Sequence, residues 1–254
     1  MALSEDKFCG ARVIEREDFA SDLWKIRITP EAPFRYAAGQ YATLGVHSGD
    51  KLVERAYSIV SSPYEENVEF FIELVPEGDL TPLLFRLNPG DDLKMRKTAK
   101  GRFTIDLQSG RSKHLLLCTV TGVAPFVSYV RTLKRDWDEK KFAGDHQLYI
   151  LNAASRSWEF GYSDELEKIA AEVPWLKYVS SVSRPWEDAE WRGEVGRVED
   201  LIRKYADEWE ITPDNATGYL CGHPQMIEHG MGILRRRGFP IASLRQEVYW
   251  VPAK

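Results

Sequence analysis

Lys113-His114-Leu115-Leu116-Leu117-Cys118-Thr119-Val120-Thr121-Gly122-Val123-Ala124-Pro125 decides the fold. Residues 113–118 form a short, largely apolar run without polar alternation, as expected for a strand buried on both faces. Thr119 ends it. Gly122 lets backbone approach another group closely. Pro125 suits the first turn of a helix, where its missing N–H costs nothing. A strand, a glycine and a helix start leave amide N–H groups with the helix dipole behind them. That arrangement suits a pyrophosphate, and it also serves as a plain connection.

Downstream of this unit the grammar repeats. Residues 148–151 are a second strand candidate. Leu166, Ile169, Ala170 and Val173 then recur at helical spacing, with Ser163 or Asp164 as the expected cap. Residues 178–182 read as a third strand, followed by a helical stripe of Val198, Leu201, Ile202 and Tyr205. Residues 219–221 end a fourth strand. Residues 224–237 can form a helix closed by Gly238, with Pro240 beyond it. Strands alternating with helices predict a parallel sheet covered on both faces.

Upstream the pattern is different. Trp24, Ile26 and Ile28 alternate with Lys25 and Arg27. Residues 68–75 (VEFFIELV) are strongly β-prone and bounded by Asn67 and by Pro76-Glu77-Gly78. Segments rich in Gly, Pro and Asp separate these runs. Short strands at this spacing predict an antiparallel β-barrel or sandwich. Two domains are therefore expected: a β-barrel over residues 1–109 and a parallel-sheet α/β domain over residues 110–254. No internal repeat or low-complexity tract is visible.

Composition excludes several classes. Thirty-four basic against thirty-nine acidic residues give a net charge of −5, which argues against general nucleic-acid binding. No long uncharged apolar run predicts a spanning helix. The first twelve residues contain Glu5, Asp6 and Lys7 and no apolar signal core, so the chain is read as cytoplasmic. Cys9, Cys118 and Cys221 are far apart and match no disulfide framework, zinc site or iron–sulfur ligand set. Positive charge is nevertheless clustered. Lys94, Arg96, Lys97, Lys100 and Arg102 fall close together, and Arg235, Arg236 and Arg237 form a second run. Such a run is either a solvated face or a docking patch for an acidic partner.

Candidate site residues fall at the expected strand ends. Ser155-Arg156 follows the second strand, Ser183-Arg184 the third, and Arg197 opens the next helix. A hydroxyl beside the planar donor fork of arginine suits a phosphate monoester. Cys221-Gly222-His223-Pro224 ends the fourth strand. A nucleophile or a metal ligand is one reading of Cys221, and a small polarizable side chain lining a flat ring is the better one. In the barrel half, Arg55-Ala56-Tyr57-Ser58 offers a phosphate-binding cation, a ring to stack and a hydroxyl. Gly78-Asp79-Leu80-Thr81-Pro82 follows a strand and reads as a helix start whose N–H groups suit a second phosphate.

Together these motifs resemble the ferredoxin–NADP reductase family, its bacterial ferredoxin/flavodoxin branch most closely. They occur in the expected order from about Val13 to Trp250. The resemblance implies FAD and NADP(H) as cofactors and ferredoxin or flavodoxin as partner, docking on the 94–102 basic run. It implies that Arg55 holds the FAD phosphates, Tyr57 stacks on the isoalloxazine and Ser58 faces its redox edge. Ala56, Gly78, Leu80 and Thr81 would add contacts to the flavin and its pyrophosphate, and Gly39-Gln40-Tyr41 matches an earlier family strand. On the second domain, Thr121 and Gly122 would meet the NADP pyrophosphate and nicotinamide. Ser183, Arg184 and Arg197 would take the 2′-phosphate, and Cys221 and Gly222 would line the hydride-transfer site. Tyr249 and Trp250 resemble the aromatic tail that covers the flavin. No metal is implied.

Three features depart from the family pattern. Val120 stands where the turn usually has its first glycine, so a displaced pyrophosphate or an altered turn is expected. Arg156 sits one position later than the family arginine. Val251-Pro252-Ala253-Lys254 follow the usual aromatic end. An oxygenase reductase component, a flavin reductase and a regulatory electron-transfer subunit remain alternatives on the same fold.

Overall fold

A computed structural model describes residues 7–249 of the chain. The chain divides between Thr104 and Ile105 into two compact units.

The first unit is an antiparallel sheet of six strands: β1 (Phe8–Ala20), β2 (Leu23–Pro30), β3 (Tyr41–Ser48), β4 (Lys51–Ser58), β5 (Val68–Glu73) and β6 (Asp92–Arg96). Their order is β4-β3-β6-β1-β2-β5. The sheet curls until its two edges meet. Ile59, just beyond β4, bridges to Phe70 of β5, and Val60 N–H donates to Glu69 O at 2.9 Å. The alternation read in β2 is real: Trp24, Ile26 and Ile28 are fully buried, facing Ala42, Leu44, Phe70, Ile72 and Met95. One ion enters this interior. Glu69 is fully buried and meets Arg27 at 2.7 Å, which satisfies a charge that would be costly if left alone. A short helix, α1 (Thr81–Leu84), follows β5 at the position where the turn sequence predicts one.

The second unit is a parallel sheet covered by helices. Its elements are β7 (Lys113–Thr119), α2 (Ala124–Asp138), β8 (Gln147–Ala154), α3 (Ser163–Glu172), β9 (Leu176–Val182), β10 (Glu194–Val195), α4 (Val198–Glu208), β11 (Ala216–Gly222), α5 (Pro224–Arg236) and β12 (Leu244–Val248). The order β10-β9-β8-β7-β11-β12 puts β7 at the centre. The chain first builds outward from β7 through β8, β9 and β10, then returns to place β11 on the other side. The strand order therefore reverses between β7 and β11, and ligands of open α/β sheets bind at the carboxyl ends of such strands. Residues 114–118 are all buried, as the apolar run predicts.

Two edge strands, β10 and β12, lie outside the sequence expectations. Ser163 and Asp164 do not cap α3. The cap position is Tyr162, and the Ser163 hydroxyl turns back to Phe160 O at 3.4 Å instead of accepting from the helix. Asp164 and Glu165 instead place negative charge in the first turn, where the helix dipole favours it. Among the described residues no helix is long and apolar enough to cross a membrane.

Candidate functional site

The end of β7 and the end of β11 cross at two glycines. A Cβ on Gly122 would lie 2.3 Å from Cys221 O and 2.7 Å from Gly222 Cα. A Cβ on Gly222 would lie 2.4 Å from Thr119 Oγ1, and Gly222 has φ +125°, a value that L side chains rarely adopt. Thr119 Oγ1 accepts from His223 N–H at 2.9 Å, locking the turns together. His223 then caps α5, its Nδ1 accepting from Gln225 N–H at 3.2 Å. Pro125 and Pro224 sit in the first turns of α2 and α5. The result is a narrow backbone cradle that only glycine permits.

Val120 is accommodated in this turn. It adopts φ +44°, the left-handed conformation a glycine would take without strain, and leads into a 3-10 turn, Val120–Val123, that runs into α2. For a β-branched residue that conformation costs roughly 1–3 kcal/mol. Its side chain packs with Trp191 against Ala154, Phe160 and Val182, and this apolar contact offsets part of the strain.

Cys221 is fully buried in the cradle. Burial pushes its thiol well above the ordinary range, and the Glu247 carboxylate pushes the same way; a hydrogen bond with Tyr249 opposes them. At neutral pH Cys221 is a protonated, apolar-like side chain, not a thiolate. Cys118 is buried and raised in the same way. The Tyr249 hydroxyl donates to Thr121 O at 3.2 Å, which ties this side chain to the same turn. Trp250 and residues 251–254 lie outside the described residues.

The arginines expected at the strand ends are brought together. Beyond β8 and β9 the pairing continues, with Ser183 N–H donating to Ala154 O and Arg184 N–H to Ser155 O, both at 3.0 Å. Gly196 N–H donates to Val182 O at 2.9 Å, which sets Arg197 at the same rim as the start of α4. The short β10 is anchored by Glu194, which accepts from Tyr205 at 2.8 Å and pairs with Lys204 at 2.5 Å. Arg156, Ser183, Arg184 and Arg197 thus share one edge, a donor set that fits a phosphate monoester. Carboxylates that the sequence reading did not anticipate stand among them. Glu187 meets Arg156 at 2.5 Å and Arg184 at 3.7 Å. Glu159 meets Arg156 at 3.1 Å, and Asp200 accepts from Arg197 N–H at 3.0 Å.

In the first unit, β4 carries Arg55, Ala56, Tyr57 and Ser58. Arg55 reaches across to the loop before α1 and meets Asp79 at 2.6 Å. That loop is closed by Thr81, whose hydroxyl accepts from Val75 N–H at 2.9 Å and donates to Val75 O at 3.0 Å. Gly78 N–H donates to Val75 O at 2.8 Å, and Leu80 is buried beneath. The two motifs singled out in the barrel sequence are therefore brought together. Tyr57 is half-buried, and desolvation holds its phenol far above the ordinary range; Ser58 is buried. Of the basic run, Arg96 is engaged by Glu54 at 2.6 Å, whereas Lys94, Lys100 and Arg102 are exposed. No group of three His, Cys, Asp or Glu residues able to hold a metal occurs among the described residues.

Comparison with known proteins assigns these units. Residues 11–105 match the oxidoreductase FAD-binding domain, and residues 116–230 the oxidoreductase NAD-binding domain. A ferredoxin–NADP reductase A from Sorangium cellulosum is 31% identical over 238 residues, covering 89% of this chain and 82% of the relative. The toluate 1,2-dioxygenase electron transfer component of Pseudomonas putida is 26% identical, covering 84% of this chain and 59% of that protein. A ferredoxin NADP+ reductase from Neisseria gonorrhoeae, solved with bound FAD and NADP, superposes with a TM-score of 0.84 at 23% identity, over 96% of this chain and 99% of that one. The chain belongs to the ferredoxin–NADP reductase family. It is a flavin-dependent oxidoreductase with an FAD-binding antiparallel sheet and an NAD(P)-binding parallel sheet.

Proposed function

We propose that this family member is a ferredoxin– or flavodoxin–NADP(+) reductase, exchanging a hydride with NADP(H) and single electrons with a small carrier protein. The observation that carries the proposal is the gathering of Arg156, Ser183, Arg184 and Arg197 at one rim of the parallel sheet, a donor set suited to a 2′-phosphate. FAD, when bound, supplies the conversion between a hydride and single electrons.

The protein's residues bind, orient and exclude. Arg55, with Gly78, Leu80 and Thr81, would hold the flavin pyrophosphate, and Ala56 lies between the arginine and the ring-facing pair. Tyr57 would lie against the isoalloxazine, and the Ser58 hydroxyl would offer a hydrogen bond at its redox edge. Thr121, Gly122 and Gly222 would meet the dinucleotide pyrophosphate and nicotinamide, on turns that the two glycines let pack closely against each other. Cys221 shapes that surface as a neutral thiol and moves no proton, because burial suppresses its ionisation. Tyr249, hydrogen-bonded to Thr121, has to leave before a nicotinamide can lie on that turn. Lys94, Lys100 and Arg102 would steer an acidic carrier, a rate and orientation effect.

A second reading, the electron-transfer component of an oxygenase, is favoured by the toluate dioxygenase relative. With only three, widely spaced cysteines, these residues offer no iron–sulfur ligand set, so under this reading the iron–sulfur centre lies outside them. An anaerobic titration separates the readings. The visible flavin band of the purified protein is followed as NADPH or NADH is added, and then ferredoxin or flavodoxin. Bleaching at lower NADPH than NADH, with electrons passing on to the carrier, supports the proposal. Preference for NADH moves the assignment to the second reading, and a flavin that neither dinucleotide bleaches defeats both.

A further inference from the structure

The 2′-phosphate rim carries its own anion. Glu187 lies in the 3-10 turn Pro185–Glu187 directly after Arg184, and its N–H donates to Arg184 O at 3.0 Å. This short tether fixes the carboxylate three residues from the arginine. Its two oxygens face two different guanidinium groups: Oε2 meets Arg156 at 2.5 Å and Oε1 meets Arg184 at 3.7 Å. Arg156 is held further by Glu159 at 3.1 Å and lies over the Trp158 ring at 5.7 Å. Glu159 is itself fixed by Ser155 N–H at 2.8 Å. Two guanidinium groups at this rim, Arg156 and Arg184, thus meet the carboxylates of Glu159 and Glu187, and a third carboxylate, Asp200, stands beside Arg197 and accepts from its backbone N–H. A rim that looks strongly cationic in sequence therefore already holds carboxylates against two of its arginines in the folded chain.

We propose that Glu187 is a specificity-determining residue of the dinucleotide site. It bridges Arg156 and Arg184 in the place of a 2′-phosphate, and it narrows the preference for 2′-phosphorylated over unphosphorylated nucleotide. This rests on reading the rim as the 2′-phosphate site. A 2′-phosphate has to displace the Glu187 carboxylate or bind beside it against like-charge repulsion. A nucleotide with a free 2′-hydroxyl faces no such competition and can instead donate to the carboxylate. The side chains are partly exposed, 28% for Arg156, 34% for Glu187 and 47% for Arg184, so solvent screens the competition and the effect is moderate.

The test uses the FAD-loaded protein and calorimetric titration with two probes, adenosine 2′,5′-bisphosphate and 5′-AMP. Glu187→Gln keeps the shape and removes the charge. It is expected to tighten the bisphosphate by roughly three- to ten-fold and leave 5′-AMP unchanged. The NADPH-to-NADH preference in flavin bleaching should rise by a similar factor. Arg184→Ala serves as the companion variant and should weaken the bisphosphate selectively. If Arg184→Ala binds the bisphosphate like wild type, or if wild type does not bind it, the rim is not the 2′-phosphate site. If Arg184→Ala weakens it but Glu187→Gln leaves both probes unchanged, or shifts both equally, the site stands and the role of Glu187 is refuted.

Discussion

Gly122→Ala should destabilise the NAD(P)-binding unit and cost it dinucleotide affinity while leaving flavin retention alone. The added Cβ would stand 2.3 Å from Cys221 O, 2.6 Å from Cys221 C and 2.7 Å from Gly222 Cα. All three are backbone atoms, so no rotamer change relieves the overlap. Reaching an ordinary contact requires the turns after β7 and β11 to separate by about 1 Å. These turns end adjacent strands paired through Cys118 and Cys221, and they are tied again by the His223 N–H to Thr119 Oγ1 bond, so the shift also strains the sheet. Overpacking of this kind costs about 1–3 kcal/mol and occasionally more. A penalty of about 3 kcal/mol lowers the melting temperature by roughly 6–12 °C for a chain of this size. Because the cradle itself opens, dinucleotide binding should fall by about ten-fold or more, the usual scale for losing well-placed contacts.

The matched control is Gly230→Ala on α5. Its Cβ would come within 2.6 Å of Leu220 Cδ2, the end of a flexible side chain, and the helix gains about 1 kcal/mol in propensity. That variant should stay within about 1 kcal/mol of wild type. Thermal melts followed by circular dichroism, with calorimetric titration of NADPH, read both effects. A Gly122→Ala protein that melts like Gly230→Ala and binds NADPH normally would refute the argument that backbone contact sets the turn.

Two further outcomes follow from buried titratable groups. His114 is fully buried against His146 at 3.0 Å, and burial first, then the neighbouring imidazole, lowers its pKa to about 3. The folded state keeps the ring neutral while the unfolded chain protonates it near pH 6.5. Its contribution is therefore full above pH 6.5 and declines as pH falls toward 3, by about 2 kcal/mol at pH 5. His114→Phe should shrink the stability difference between pH 7.5 and pH 5 by that amount in urea titrations, and an unchanged difference would remove His114 as its source. Thiol labelling at pH 8 should modify Cys9 in the native protein, and Cys118 and Cys221 only after denaturation, since both are buried. Rapid native labelling of Cys221 would contradict its description as a protonated, enclosed side chain.

Much of the fold was legible because its signals are local. The apolar run of β7, the alternation in β2 and the glycine and proline around the first turn each act within a few residues. The two barrel motifs were legible for the same reason, although their meeting through Arg55 and Asp79 was not. Strands β10 and β12 escaped because they are edges. Glu194–Val195 is two residues long and becomes a strand only by pairing with Ser181 and Val182. In β12, Leu244 is buried and Val248 exposed, too weak a pattern to separate from a tail. The cap of α3 was misplaced because Ser163 and Asp164 both suit a cap in isolation, and only the backbone at Tyr162 shows where the helix begins. Val120 breaks the residue preference of its turn, and the reason is tertiary: an apolar cluster from residues 154, 160, 182 and 191 rewards the side chain that strains the backbone.

The deeper limit concerns charge. A sequence displays cations as runs and pairs, and it is natural to count each as available to an anionic ligand. In the folded chain Arg55 is already matched by Asp79, Arg156 by Glu159 and Glu187, and Arg96 by Glu54. Arg156 and Glu187 stand thirty-one residues apart, so no local pattern announces their contact. This changes what a phosphate site means energetically. Binding an anion at such a rim is an exchange of one carboxylate for one phosphate around the same guanidinium groups, and only the difference between the two is left to favour the ligand. Arginine identity then sets where a phosphate can bind, while the carboxylates beside it set how strongly one nucleotide is chosen over another.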